Sequence, residues 1–192
     1  MDTGNLVAAS FLEHVETATR TQSELAEAVA VVGRVLARSL EQGGAVLWCG
    51  NGGSASDSQH IAAELVGRFK ENRRPLRSIA LSTDTSVLTC IGNDFGYEEV
   101  FSRQVEAIGR PGDVLVGIST SGRSPNVNAA FATARSVGVT TVGLLGKGGG
   151  DAVGLVDHAL VVPSASTARI QEAHILIGHV FCEIIESELG LA

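Results

Sequence analysis

Five short stretches carry apolar residues at nearly every position: Ala45 to Cys49, Ser78 to Ser82, Asp113 to Ser119, Thr140 to Leu145 and His158 to Pro163. Between them the apolar positions recur at helical spacing. Ile61, Leu65 and Phe69 define one such segment, and Val100, Phe101, Val105 and Ile108 define another within Glu98 to Gly109. A short helix is expected over Ser86 to Ile91, followed by a loop over Gly92 to Gly96, and a longer helix from Pro125 to about Gly138. The last helix runs from about Thr167 to Leu189. Strands that are apolar throughout, alternating with helices, predict a parallel sheet covered on both faces. Right-handed crossovers turn that pattern into an α/β, three-layer, doubly wound sandwich with a five-stranded parallel sheet in the order 2-1-3-4-5.

Residues 5–42 precede the first strand and also read as helical, through Leu6, Phe11, Val15, Leu25, Val29, Val32, Leu36 and Leu40, ending at Gln42-Gly43-Gly44. Two leading helices are expected here. Their alanine- and valine-rich faces point to an oligomer interface, with packing on the chain's own sheet as the alternative.

The polar positions gather where strands end. After the first strand comes Gly50-Asn51-Gly52-Gly53-Ser54-Ala55-Ser56, and then a helix. Glycine lets the backbone approach a ligand, and the free N–H groups of the helix start point at it. After the third strand comes Ser119-Thr120-Ser121-Gly122-Arg123-Ser124, with Ser124 placed to cap the next helix and Pro125 to open it. The strand order sets these two loops side by side at the switch point where ligands bind. The first loop also fits the dinucleotide pattern Gly50-x-Gly52-x-x-Ala55, with Asp84 as the ribose acid. Asp84 lies later than the usual ~20 residues onward, and the second loop adds hydroxyls that suit one compact phosphate. A monophosphate is the favoured ligand.

Composition narrows this picture. The 192 residues suit one domain, 1–192, with a sizeable core. The formal net charge is −7 and no basic face is visible, which argues against a nucleic-acid partner. A phosphate would therefore be held by N–H and O–H groups. Cys49, Cys90 and Cys182 stand far apart in apolar surroundings and read as buried, reduced thiols. With no signal segment and no apolar run of membrane-spanning length, the chain reads as soluble and cytoplasmic, with no membrane partner.

His60 and Glu64, at i and i+4, share one face of the helix that follows the first loop. The last helix adds Gln171, Glu172, His174 and His179 among Ile, Leu and Val. Around that helix Gln171 and His179 are about 80° apart, and His174 and His179 about 140° apart. His174 therefore reads as structural. His14 and His158 stand alone and receive no function.

Six segments in order carry a family resemblance: Cys49-Gly50-Asn51-Gly52-Gly53-Ser54, Gln59-His60-Ile61-Ala62-Ala63-Glu64-Leu65, Ile91-Gly92-Asn93-Asp94-Phe95-Gly96, Phe101-Ser102-Arg103-Gln104-Val105, Gly117-Ile118-Ser119-Thr120-Ser121-Gly122 and Arg169-Ile170-Gln171-Glu172-Ala173-His174. The chain resembles the sugar isomerase (SIS) domains, and among them the bacterial phosphoheptose isomerases. The resemblance implies interconversion of D-sedoheptulose 7-phosphate and D-glycero-D-manno-heptose 7-phosphate through an enediolate, the first step of nucleotide-activated heptose biosynthesis. It implies a homotetramer acting on a phosphorylated seven-carbon sugar, with active sites between subunits. It implies a divalent metal, usually zinc, on His60, Glu64, Gln171 and His179, and a catalytic pair of Glu64 and His179. Substrate contacts would fall on Asn51, Gly52, Gly53, Ser54, Glu64, Asn93, Asp94, Ser119, Thr120, Ser121, Ser124 and Gln171. The alternative is a non-catalytic relative that binds sugar phosphates or the bacterial replication initiator. The initiator-binding relative lacks the acid and the last imidazole, and both are present here. Ala168 departs from members with a polar residue at that point.

Overall fold

The computed structural model describes residues 2–191, so Met1 and Ala192, the ends of the expected domain, lie outside the described residues. The chain opens with a helix, α1 (Thr3–Glu41), and enters the sheet at β1 (Val46–Gly50). There follow α2 (Gly53–Val66), β2 (Ser78–Ala80), α3 (Thr85–Asp94), a 3₁₀ turn (Tyr97–Glu99) and α4 (Ser102–Ile108). The second half runs β3 (Val114–Ser119), α5 (Pro125–Ser136), β4 (Thr140–Gly146), a 3₁₀ turn (Gly150–Gly154), β5 (His158–Val162) and α6 (Thr167–Glu188). The five strands are parallel in the order β2-β1-β3-β4-β5, as expected.

Alternate residues of each strand serve opposite faces, which is why the strands are apolar throughout. Val46, Trp48, Val116 and Leu144 face the helices α1, α2 and α6, where Leu36, Ile61, Leu65, Ile177 and Phe181 meet them. Leu47, Cys49, Leu115 and Leu145 face the other layer, built on Ile91, Phe101, Val105, Val127 and Phe131.

Three local readings change. Residues 3–41 form one continuous helix rather than two, because the sequence offers no proline and, before Gly33, no glycine inside the helix beyond its first turn to break the hydrogen-bond ladder. The helix α3 runs on through the expected loop to Asp94. The expected helix over 98–109 begins as a 3₁₀ turn and becomes α-helical only at Ser102. Both changes fall at boundaries, where end caps decide the outcome. Asp84 accepts from the Val87 N–H at 3.0 Å and starts α3 early in its segment.

The two halves of α1 differ. Val29, Val32, Leu36, Ala37 and Leu40 are buried in the core with α6 and the sheet. Leu6, Val7, Phe11, Leu12 and Val15 are exposed, Phe11 at 70%. Packing on the chain's own core accounts for the apolar stripe of the second half; in the first half Thr17 and Thr21 are buried while the apolar stripe stays exposed. Among the described residues, no helix is long and apolar enough to cross a membrane.

Candidate active site

Residue pairing in the sheet sets the loops of the site. Gly50, the last residue of β1, lies beside Ile118 of β3, so residues 51–53 and 120–124 emerge side by side. In the first loop the Ser54 N–H donates to the Asn51 carbonyl at 3.1 Å and the Ala55 N–H to that of Gly52 at 3.0 Å. Gly52 is the N-cap and has no side chain to occupy the N–H groups at the start of α2. Gly53 is exposed and Ser54 buried just inside the helix.

In the second loop the Ser119 and Ser124 hydroxyls lie 3.0 Å apart, and Ser119 Oγ accepts from the Gly122 N–H at 3.1 Å. Ser121 Oγ accepts from the Arg123 N–H at 3.2 Å. Thr120 and Ser121 are half-buried at the turn. Ser124 is the N-cap of α5 and Pro125 its first residue, as expected, yet the Ser124 hydroxyl turns to Ser119 instead of capping the helix. Gly122 has φ +62°, and a Cβ there would stand 1.8 Å from the Gly149 carbonyl oxygen. Only glycine permits this approach, which braces the second loop on the loop after β4.

The chemistry-bearing side chains come from α2 and α6. His60 Nε2 lies 3.2 Å from Glu64 Oε1, the i to i+4 pair read from the sequence. His179 Nε2 lies 3.1 Å from His60 Nε2 across 119 positions of sequence. His60, Glu64 and His179 each offer one ligand atom within 4.8 Å of the other two. The helices meet this closely because position 178 is glycine: a Cβ there would stand 2.7 Å from Ile61 Cγ1. The Phe69 ring stacks on His179, with centroids 5.4 Å apart.

Gln171, near the start of α6, reaches the first loop. Its amide nitrogen lies 2.7 Å from where a Cβ on residue 53 would stand, at the entrance to α2. His174 points elsewhere. It is buried and its Nε2 lies 2.9 Å from the Leu145 carbonyl oxygen. A carbonyl only accepts, so Nε2 carries the proton, and the buried Nδ1 is left without a partner among the described residues. Burial lowers the His174 pKa to about 4, against the partial support of that hydrogen bond. Asn93 and Asp94 are exposed at the end of α3, where the Asn93 amide donates to Asp94 at 2.7 Å.

Several contributors escaped the sequence reading. Arg73 and Glu186 form an ion pair at 3.0 Å, with each side chain 2% exposed. Arg73 also donates to the Glu64 and Leu65 carbonyls at 2.8 and 2.7 Å, closing the C-terminal end of α2. Glu186 accepts from the N–H groups of Phe69 and Lys70. The pair therefore clamps α2 to α6, the helices that carry the trio. Asp57 sits one turn before His60, its carboxyl raised by burial and partly held down by His60. Its Oδ2 has no partner among the described residues. Spacing to His60 is the one sequence signal that marks it. His14, given no function from sequence, pairs with Glu172 at 2.7 Å, and Arg169 donates to the same carboxylate at 2.6 Å. This cluster ties α1 to α6. Cys49 and Cys182 are buried, and burial pushes both thiols up to about 12, for Cys182 with help from the Glu64 carboxylate. Cys90, expected to be buried, is exposed. It lies on the outward side of α3, a helix whose one buried residue is Ile91.

Known proteins place this geometry. The SIS domain family model matches residues 10–146. The chain is 56% identical to the phosphoheptose isomerase of Campylobacter jejuni over 182 residues, 95% of this chain and 97% of that protein. It superposes on the phosphoheptose isomerase of Neisseria gonorrhoeae with a TM-score of 0.92 at 44% identity, covering 97% of this chain and 100% of that one. The phosphoheptose isomerase of Francisella tularensis gives a TM-score of 0.95 at 35% identity, with the same coverage. A non-catalytic regulator and a dinucleotide-binding dehydrogenase both give way to these matches. The chain belongs to the phosphoheptose isomerase family of SIS-domain proteins.

Proposed function

We propose that this protein interconverts D-sedoheptulose 7-phosphate and D-glycero-D-manno-heptose 7-phosphate, feeding nucleotide-activated heptose synthesis in the cytoplasm. The observation that carries the reading is the trio of His60, Glu64 and His179 beside a two-loop cradle rich in N–H and O–H groups. The phosphate sits on the cradle, with Ser119, Thr120, Ser121, Ser124, the N–H groups around Asn51, Gly52 and Gly53, and the Ser54 hydroxyl as its donors. Asn93, Asp94 and Gln171 take sugar hydroxyls.

An aldose–ketose exchange moves one proton between neighbouring carbons and another between their oxygens. Glu64 is the base over the carbon. Its carboxylate is half-buried and held by His60 at 3.2 Å, so it is oriented yet accessible. His179, stacked on Phe69, carries the proton between the oxygens. The donor set fits a divalent metal: two imidazole nitrogens face each other at 3.1 Å with a carboxylate alongside, a nitrogen and oxygen set that zinc favours. His60, Glu64 and His179 would hold zinc, with Gln171 as the fourth ligand. When bound, the metal would polarise the substrate carbonyl as a Lewis acid.

The exposed apolar face on the first half of α1 supports a homotetramer in which this face is covered. Three unpaired thiols suit a reducing compartment. The test is incubation with sedoheptulose 7-phosphate, followed by NMR for the aldose phosphate and without nicotinamide. Appearance of the aldose is expected. Tight NADH binding with no turnover of the sugar phosphate would overturn the proposal.

A further inference from the structure

Asn51 has almost no hydrogen-bonding capacity left for a ligand. Its Nδ2 donates to Asn126 Oδ1 at 2.9 Å, and its Oδ1 accepts from Asn126 Nδ2 at 2.9 Å. The same Oδ1 accepts from the Tyr97 hydroxyl at 3.0 Å. Both lone pairs of that oxygen are engaged, and one N–H remains. Asn126 is 2% exposed, and its Oδ1 also accepts from the Val127 N–H at 3.0 Å. The paired amides lock each other in one orientation, since turning either one over sets oxygen against oxygen.

These three residues come from three separate parts of the chain. Asn51 lies in the loop after β1, and its carbonyl accepts from the Ser54 N–H at the start of α2. Asn126 lies in the first turn of α5, two positions after Ser124. Tyr97 opens the 3₁₀ turn three positions after Asp94. Each sits beside one of the segments read as contacting substrate. We infer that Asn126 and Tyr97 are positioning residues, which act through Asn51 to join the three substrate segments into one preorganised cradle. The inference rests on the cradle assignment made above. A cradle fixed before the ligand arrives spends no binding energy on ordering its loops. The network touches no group that moves a proton, so its loss should appear in binding and leave the chemical step alone.

The experiment measures the dissociation constant for sedoheptulose 7-phosphate by calorimetry, KM and kcat, for Asn51→Ala, Asn126→Ala, Tyr97→Phe and the Asn51→Ala/Asn126→Ala double variant. Asn126→Ala should weaken binding and raise KM by about tenfold, the equivalent of one to two hydrogen bonds, with kcat within about twofold of wild type. Tyr97→Phe should give about threefold in the same direction. The double variant should be no worse than Asn51→Ala alone, because the pair acts as one unit. Unchanged affinity in both Asn126→Ala and Tyr97→Phe overturns the inference, as does a double variant whose loss is the product of the two single losses. If Asn126→Ala fails to fold, Asn126→Asp and Tyr97→Phe decide. The aspartate keeps the acceptor for Asn51 and sets a second oxygen against Asn51 Oδ1. Weaker binding in both supports the network, and wild-type affinity in both overturns it. Wild-type protein that binds the sugar phosphate without isomerising it overturns the proposed function and leaves the binding cycle readable. Failure to bind overturns both.

Discussion

The two halves of the site are built in different ways. The cradle comes from consecutive residues at the ends of two neighbouring strands, held by hydrogen bonds over short sequence distances such as Ser119 to Ser124. The trio comes from two helices, with His60 and His179 separated by 119 positions and held together by packing. Each of these turns keeps its own shape once formed, and the Asn51–Asn126 pair with Tyr97 joins them. A device assembled from helix faces depends on everything that fixes those helices. Here that means the close approach at Gly178 and the Arg73–Glu186 clamp. The cradle should therefore govern affinity, and the trio should govern turnover.

The largest expected effect tests that division directly. Glu64→Gln keeps the size of the side chain but cannot take a proton from carbon. Turnover should fall by at least ~10²–10⁴-fold, while affinity for the sugar phosphate changes little. His179→Asn should also stop turnover. His174→Asn, whose ring faces Leu145 and not the trio, should retain substantial activity. Metal content is measured in each variant, since a lost ligand mimics a lost base. A Glu64→Gln protein with bound metal and near-normal turnover would remove the chemistry from α2.

Next in size is the clamp. Glu186→Gln leaves the buried Arg73 guanidinium without its counter-charge. Loss of one partner of such a pair costs about 3–5 kcal/mol of stability, read from denaturant unfolding. Turnover should fall more than affinity, because the helices lose their register while the loops remain. Equal losses in both would mean that the cradle also depends on the clamp.

The same contrast governs what could be read from sequence. The two loops and the Ser124-Pro125 helix start are local patterns, the strand order follows from the alternation of strands and helices with right-handed crossovers, and each appears in the structure as expected. The i to i+4 pairing of His60 and Glu64 is equally local. The contact between His60 and His179 was reached only through the family resemblance, because no periodicity relates two helices across the chain. No sequence pattern singles out Arg73 or Asn126. Their roles depend on what packs against them, which the chain's local pattern does not contain. The reading of α1 as two helices failed for a related reason. Its apolar stripe is covered by its own chain only from about Leu25 onward, and nothing in the sequence breaks the ladder where that covering begins.

His174 gives a smaller effect, confined to stability. Its folded pKa is about 4, below the ordinary value of 6.5, because burial disfavours the charged ring. Between those values the unfolded chain binds the proton and the folded chain does not. Stability is thus fully present above pH 6.5, declines as pH falls, and levels off below about 4. The contribution amounts to ~3 kcal/mol. Urea unfolding of wild type and His174→Asn across this range should show the wild-type slope reduced in the variant. An unchanged slope would assign acid sensitivity to other groups.

The smallest effects come from single hydroxyls of the cradle, and they test whether it is as local as proposed. Ser121→Ala and Ser124→Ala should each weaken the sugar phosphate by ~1 kcal/mol or somewhat more, because the acceptor is charged. The two should differ. Ser121 Oγ is held by the Arg123 N–H alone, so its removal deletes one donor to the phosphate. Ser124 Oγ pairs with Ser119 Oγ, so its removal also frees a buried neighbour to rotate away. Ser124→Ala should therefore raise KM more than Ser121→Ala, with kcat and the unfolding midpoint close to wild type in both. Inorganic phosphate, used as a competitor, should lose affinity in the same order, since it meets the cradle without the trio. Equal KM values in the two variants would mean that the Ser119–Ser124 contact does not orient a phosphate donor. A fall in kcat as large as the rise in KM would mean that the cradle and the trio are one device rather than two.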